Sequence, residues 1–264
     1  MKSIENRLAD YRYQLDRSSV LNFMGYSDPE KARKPVLKIT DEQMARAHEF
    51  AEPWAAAVEV PLCGIENDKI HLKHGVEQLV LHSEQLPKIL RHADSVVILL
   101  ASAGNAATLE SKRLMDEGKL GQALAMDAVG SAMVVEAMKA LTDQVSAEAQ
   151  QRGYGTTLRV GPGYTGWHFG DQAILFRFFE GFEHLPITMS DGIMMRPQKS
   201  LLGMVGLNPG AKNAPEIEPC RLCDLKNCSM RKARKAKCRL KNFSWEKDNI
   251  NDLGTDERRE TETR

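Results

Sequence analysis

The 264-residue chain carries no net charge, since Lys+Arg and Asp+Glu both number 36. Bulk charge therefore selects neither nucleic acid nor an anionic membrane as a partner. Long apolar runs are missing as well. The longest, Val96 to Ala101, is strand-sized, far short of the roughly 18 residues a membrane helix needs. The opening residues, Met1-Lys2-Ser3-Ile4-Glu5-Asn6-Arg7, lead into further charge rather than an apolar stretch, so no secretory signal is expected. No repeat of fixed period occurs. Cysteine is scarce, with five in the whole chain, which excludes a secreted disulfide scaffold. A cytoplasmic globular protein is the expectation, in line with 42% hydrophobic and 27% charged residues.

The few cysteines divide the chain. Cys63 stands alone, whereas Cys220, Cys223, Cys228 and Cys238 fall close together. Residues 1–212 carry mixed helix and strand patterns, 213–242 are Cys-rich and basic, and 243–264 are charged and expected to be disordered. Within the first region, a helix is expected over Asp41–Ala57 with Thr40 as its N-cap. Val58–Leu62 and Lys69–Leu72 suggest short strands, and Leu86–His92 a helix. Ser95–Ala101 is continuously apolar, as befits a strand buried on both faces. Asn105–Gly118 and Lys119–Arg152 predict helices. The second contains a small-residue stretch around Ala125, Ala128 and Gly130, where another backbone or a flat ligand could approach. Thr156–Val160 predicts a strand and Asp171–Phe182 a helix, while Ile187–Met195 and Leu201–Leu207 suggest a hairpin. Without regular βαβ alternation the class is α+β, with a largely antiparallel sheet.

Several polar constellations invite chemistry. Asp68-x-x-His71-x-x-His74 has no further ligand nearby and is weak as a metal site. Ser102-Ala103-Gly104-Asn105 opens a helix but has no phosphate-loop lysine, so an ordinary turn is expected. Cys63, like most lone cysteines, is expected to be a small buried hydrophobe. Met194, Met195, Phe176, Phe178 and Phe179 fit a core.

Arg159-Val160-Gly161-Pro162-Gly163-Tyr164 is more informative. A strand delivers an arginine whose planar fork suits a carboxylate. Two glycines then bracket a proline and expose backbone, and a tyrosine offers a ring face and a hydroxyl. Taken alone, the segment is more readily an ordinary tight loop than a site. It resembles the Arg-Pro-Ala-Pro-Gly-Tyr segment of the activation domain of vitamin B12-dependent methionine synthase, with Val160 and Gly161 replacing proline and alanine. Upstream, Ala125–Ser131 and Val135-Glu136-Ala137 resemble the long helix before that loop. Downstream, Met189–Gly203, with Arg196-Pro197-Gln198-Lys199-Ser200 at its centre, resembles the family's Pro-x-x-Ser hairpin. The likeness spans roughly residues 90–210.

That resemblance implies reductive reactivation of a cobalamin held by a partner, a corrinoid protein or cobalamin-dependent methyltransferase, with S-adenosylmethionine as methyl source. It further implies that Arg159 holds the methionine carboxylate, that the backbone at Gly161 and Gly163 contacts the ligand, and that Tyr164 lies near the sulfonium. Glu136 would face the cationic end.

The cysteine cluster is a separate signal. Cys220-x2-Cys223-x4-Cys228-x9-Cys238 offers four thiolates to one centre, and in a reducing compartment such spacing points to metal. Zinc would staple a segment with no core of its own. An iron–sulfur cluster uses the same thiolates and carries an electron, which would call for an electron-donor protein. Nine basic residues between Arg221 and Lys241, against the single acidic Asp224, favour the cluster by offsetting its negative charge. A zinc-stapled module that binds a corrinoid protein or nucleic acid is the alternative.

Overall fold

The computed structural model describes residues 3–4, 8, 11–26, 28–164, 166–190 and 192–214. Its strands are β1 (Ser3–Ile4), β2 (Trp54–Glu66), β3 (Lys69–His74), β4 (Glu77–His82), β5 (Ser95–Ser102), β6 (Tyr154–Thr156), β7 (Thr188–Ser190), β8 (Met194–Arg196) and β9 (Ser200–Pro209). Its helices are α1 (Arg17–Phe23), α2 (Lys34–Ala45), α3 (Leu86–Ile89), α4 (Ala106–Asp116), α5 (Leu120–Gln151) and α6 (Asp171–Phe176). The main sheet runs β4-β3-β2-β5-β9-β6, with β1 on the free edge of β2, and every pairing in it is antiparallel. The fold class is α+β, as expected.

The apolar run of β5 places it centrally, paired to β2 and β9 along its whole length. Its even-numbered residues Val96, Ile98 and Leu100 join a cluster with Leu158, Trp167 and the phenylalanines of the α6 region. Val97, Leu99 and Ala101 face the other way, onto Ala137, Met138 and Leu141 of α5. The sheet is thus covered on both faces. The 32-residue helix α5 serves two neighbourhoods. Its second half lies on the sheet, and its first half packs among α1, α2 and α4. The small-residue stretch is the contact point of that first half. A side chain on Gly130 would meet the Cβ of Ala107 at 3.1 Å and the aliphatic stem of Lys199 at 3.4 Å.

Several expectations about the elements are corrected. The helix expected over Asp41–Ala57 lies earlier, at Lys34–Ala45, with Pro35 in its first turn. Thr40 is inside it, its hydroxyl donating to the Val36 carbonyl at 2.9 Å, an interior back-bond rather than a cap. Trp54–Ala57 instead begin β2, where Ala55 and Ala57 are buried beneath α5. Alanine suits either period, so the pattern misled. Leu86–His92 shortens to the single turn Leu86–Ile89. The strand Thr156–Val160 is regular only over Tyr154–Thr156, with an isolated bridge from Val160 to Met204. Finally, the two expected hairpin arms do not pair with each other. β7 pairs β8 in a separate ribbon, and β9 inserts between β5 and β6. Gly206 makes that insertion feasible, since a Cβ there would come within 2.7 Å of Leu90.

Cys63 is exposed, contrary to its expected burial. The β2–β3 register shifts between Leu62 and Gly64, and a bulged residue is free to turn outward. Among the described residues no helix is long and apolar enough to cross a membrane.

Candidate functional site

After β6 the chain continues along the edge of β9. Thr157 closes a two-bond contact with Gly206, donating its N–H to the carbonyl at 2.9 Å and accepting the Gly206 N–H on its hydroxyl at 2.7 Å. Leu158 and Val160 are buried in the cluster away from α5. Arg159, between them, takes the other side. Its Cγ and Cδ lie 3.5 and 3.7 Å from where a Cβ on Gly203 would sit. Gly203 shares its face with Val205 and Leu207, which pack against α5, so the arginine stem crosses the helix-facing side of β9. Arg159 is half-buried, and its guanidinium has no hydrogen-bond or ion-pair partner among the described residues.

The loop that follows is closed on itself. Gly163 donates its N–H to the Trp167 carbonyl at 3.0 Å, Tyr164 to Gly161 at 3.2 Å, and Trp167 to Tyr164 at 2.9 Å. Gly161 is required by close approach, because a Cβ would stand 2.8 Å from the Leu202 carbonyl oxygen. Gly163 has φ +91°, a conformation glycine adopts without strain, with the Phe169 ring beside it. Tyr164 is half-buried against the cluster that holds Trp167. Asp171 anchors the assembly. Its buried carboxylate accepts the Trp167 indole N–H at 3.0 Å and the His82 backbone N–H at 2.9 Å. The Gly166 carbonyl accepts from the Ser83 hydroxyl and the Glu84 N–H.

Glu136 lies half-buried on α5, and its carboxylate accepts the Tyr11 hydroxyl at 2.9 Å. Burial, then that bond and the Glu136 charge, push the Tyr11 hydroxyl up to about 12, so Tyr11 remains a donor. Lys199, ahead of β9, reaches the opposite partner set. Its ammonium lies 2.8 Å from both the Asp127 carboxylate and the Ser131 hydroxyl. The sequence signalled Arg159, Gly161, Gly163, Tyr164 and Glu136. It did not signal Tyr11, which holds Glu136, or Trp167 and Asp171, which hold the loop. For Tyr11 no local pattern exists, because its partner is 125 residues away.

The other constellations have plain geometries. The N-terminus of α4 is occupied by the Glu52 carboxylate, which accepts the N–H of Asn105 at 2.9 Å and of Ala106 at 3.3 Å. His82 lies 3.9 Å from Asp68 and His71 4.0 Å from Glu66, while His74 sets its ring edge-on to Phe178. Among the described residues no group of three or more His, Cys, Asp or Glu is placed to hold a metal ion. Cys220, Cys223, Cys228 and Cys238 lie outside the described residues.

The chain matches no known family model and no curated protein sequence. Its fold does match solved structures. One is the MetH reactivation domain bound to AdoHcy, superposing with a TM-score of 0.59 at 14% identity over 80% of this chain and 79% of that one. The likeness is one of fold.

Proposed function

We propose that this chain is an accessory protein for reactivating a cobalamin-dependent methyltransferase, acting on cobalamin carried by a corrinoid partner and using S-adenosylmethionine. The shared fold with a reactivation domain that holds AdoHcy supports this reading. The observation in this chain that carries it is Arg159, a half-buried residue whose guanidinium is unpartnered among the described residues. A guanidinium with no counter-ion of its own is available to a ligand that supplies a carboxylate.

The residues fit an amino-acid ligand unevenly. Arg159 offers its fork to the carboxylate. Glu136 offers a carboxylate to the ammonium or sulfonium, with Tyr11 fixing its orientation. Gly161 and Gly163 contribute by keeping the loop against β9, since the Gly163 N–H is spent on Trp167. Tyr164 lines the same turn. S-adenosylmethionine, when bound, supplies an electrophilic methyl group, which makes the reduction of cob(II)alamin effectively irreversible by trapping the reduced cobalt.

The proposed organisation is a reactivation-like domain over 1–212, a Cys-rich basic segment over 213–242 and a charged tail over 243–264. Cys220, Cys223, Cys228 and Cys238 are proposed to hold an iron–sulfur cluster that relays an electron from a donor protein in the cytoplasm. Zinc on the same thiolates is the alternative, and the chain would then be a binding module without electron delivery.

Two measurements test the reading. Anaerobically purified protein is expected to be brown, with visible absorption that bleaches on reduction; a colourless protein with stoichiometric zinc sinks electron delivery. Calorimetry with S-adenosylmethionine, in the presence of a corrinoid partner, should show saturable binding. Its absence overturns the ligand assignment.

A further inference from the structure

A cavity of about 600 Å³ opens between residues 11–15 and the end of α2. It is distinct from the Arg159 loop, and its size falls in the range of small-molecule and cofactor sites. Tyr11 and Tyr13 form one wall, their ring centroids 5.4 Å apart and their planes at 86°. Met44 also lines the cavity, an adaptable thioether that packs well on aromatic rings. The hydrogen bond to Glu136 fixes the Tyr11 ring. The Tyr13 hydroxyl is buried and has no hydrogen-bond partner among the described residues.

The open side has a different character. Arg12 and His48 are the exposed polar side chains of the lining. The Arg12 guanidinium has no partner among the described residues. The His48 Nδ1 lies 2.9 Å from the Ala45 carbonyl. A carbonyl only accepts, so Nδ1 carries the proton and Nε2 is left for a ligand, donating when the ring is protonated. Aromatic and aliphatic walls, with two cationic or potentially cationic groups at the mouth, select an amphipathic ligand. A guanidinium fork plus an imidazole can serve several oxygens of one anion, which suits phosphate better than a carboxylate.

We propose that this cavity binds a planar heteroaromatic ligand bearing a phosphate, a nucleoside monophosphate in its simplest form. The ring lies against Tyr11, Tyr13 and Met44, and the phosphate meets Arg12 and His48. The inference stands whether or not the chain reactivates a corrinoid protein.

Calorimetry on the full chain with adenosine monophosphate, flavin mononucleotide, adenosine and inorganic phosphate tests it. At least one nucleotide should bind saturably, adenosine about tenfold more weakly than its monophosphate, and inorganic phosphate undetectably. Arg12→Gln should weaken nucleotide binding about tenfold and leave adenosine unchanged. Ala45→Trp, at an exposed position of the lining, should block nucleotide and nucleoside alike while thermal melting stays at the wild-type value. Arg159→Ala should leave nucleotide binding intact. Failure of both nucleotides to bind overturns the proposal. So does binding that neither Arg12→Gln nor Ala45→Trp alters, or that Arg159→Ala abolishes.

Discussion

Lys199, just ahead of β9, and Arg159, beside Gly203 within it, both lie on the side of the sheet that faces α5, yet their circumstances are opposite. Lys199 keeps only 13% of its side chain exposed and has two partners on α5, while its own stem fills the space over Gly130. It joins strand to helix. Arg159 crosses the same face with its guanidinium unengaged among the described residues. The first cation is committed to the fold, and the second is held ready. What separates them is the neighbour each meets: a helix carrying Asp127 and Ser131 in one case, a glycine-lined edge in the other.

The contrast can be broken experimentally, beginning with the loop that positions Arg159. Asp171→Ala strands the Trp167 indole N–H and the His82 N–H, and one buried and one partly buried donor without acceptors should together cost about 3 kcal/mol. Denaturant titration measures this; an effect below about 1 kcal/mol would mean the loop is not anchored there. Next, Lys199→Met keeps the stem and loses the polar contacts, for an expected loss of about 1–2 kcal/mol. Arg159→Met should stay within about 0.5 kcal/mol of wild type. Equal losses would erase the distinction between the two cations.

Ligand binding should reverse that order. Arg159→Ala is expected to weaken S-adenosylmethionine binding about tenfold or more, and Arg159→Lys to recover part of it, because lysine keeps charge without the fork. Lys199→Met should change affinity by less than about threefold. Isothermal calorimetry separates the cases.

Glu110 supplies a paired counterpart for pH. Hydrogen bonds from Arg113 chiefly, with Arg46 adding to them, hold its carboxyl down to about 2 against desolvation. Its folded pKa is depressed, so its contribution to stability is complete above about 4.5 and is lost as pH falls toward about 2. Glu110→Gln should flatten the acid limb of a stability–pH curve within that window. Arg159→Met should leave the limb unchanged.

A modest effect concerns the proposed boundary. Asn213 accepts the Thr156 N–H through its side chain at 2.9 Å, and the Ala214 N–H donates to the Thr156 carbonyl at 2.7 Å. A chain ending at Ala214 should therefore be about 1 kcal/mol more stable than one ending at Lys212. Identical melting would show that these two residues contribute nothing to the body.

Elements with an unambiguous period were legible before any coordinates. β5 follows from its apolar run, and α4 and α5 lie within a residue or two of their expected limits. Where alanine dominates, as at Ala55–Ala57, helix and strand patterns coincide and only tertiary packing decides. β4 was missed although Leu79 and Leu81 alternate with outward residues. Of the site, the strand-borne arginine and the Gly-Pro-Gly turn could be read directly, because their chemistry is local. Tyr11 with Glu136 and Asp171 with His82 could not, being pairings 125 and 89 residues apart that the fold alone creates.

The clamp on Thr156 has a consequence for reaction rates. Thr156 stands three residues before Arg159, and the chain departs from it at Ala214. Cys220 follows six residues later, so fully extended backbone carries it no more than about 21 Å from that point. If Cys220 helps hold the proposed donor, a tether of that length would set its effective concentration near the Arg159 edge in about the millimolar range, independent of how dilute the protein is. Electron delivery on the reactivation reading would then be first order in this chain, and dilution would slow only the encounter with the corrinoid partner.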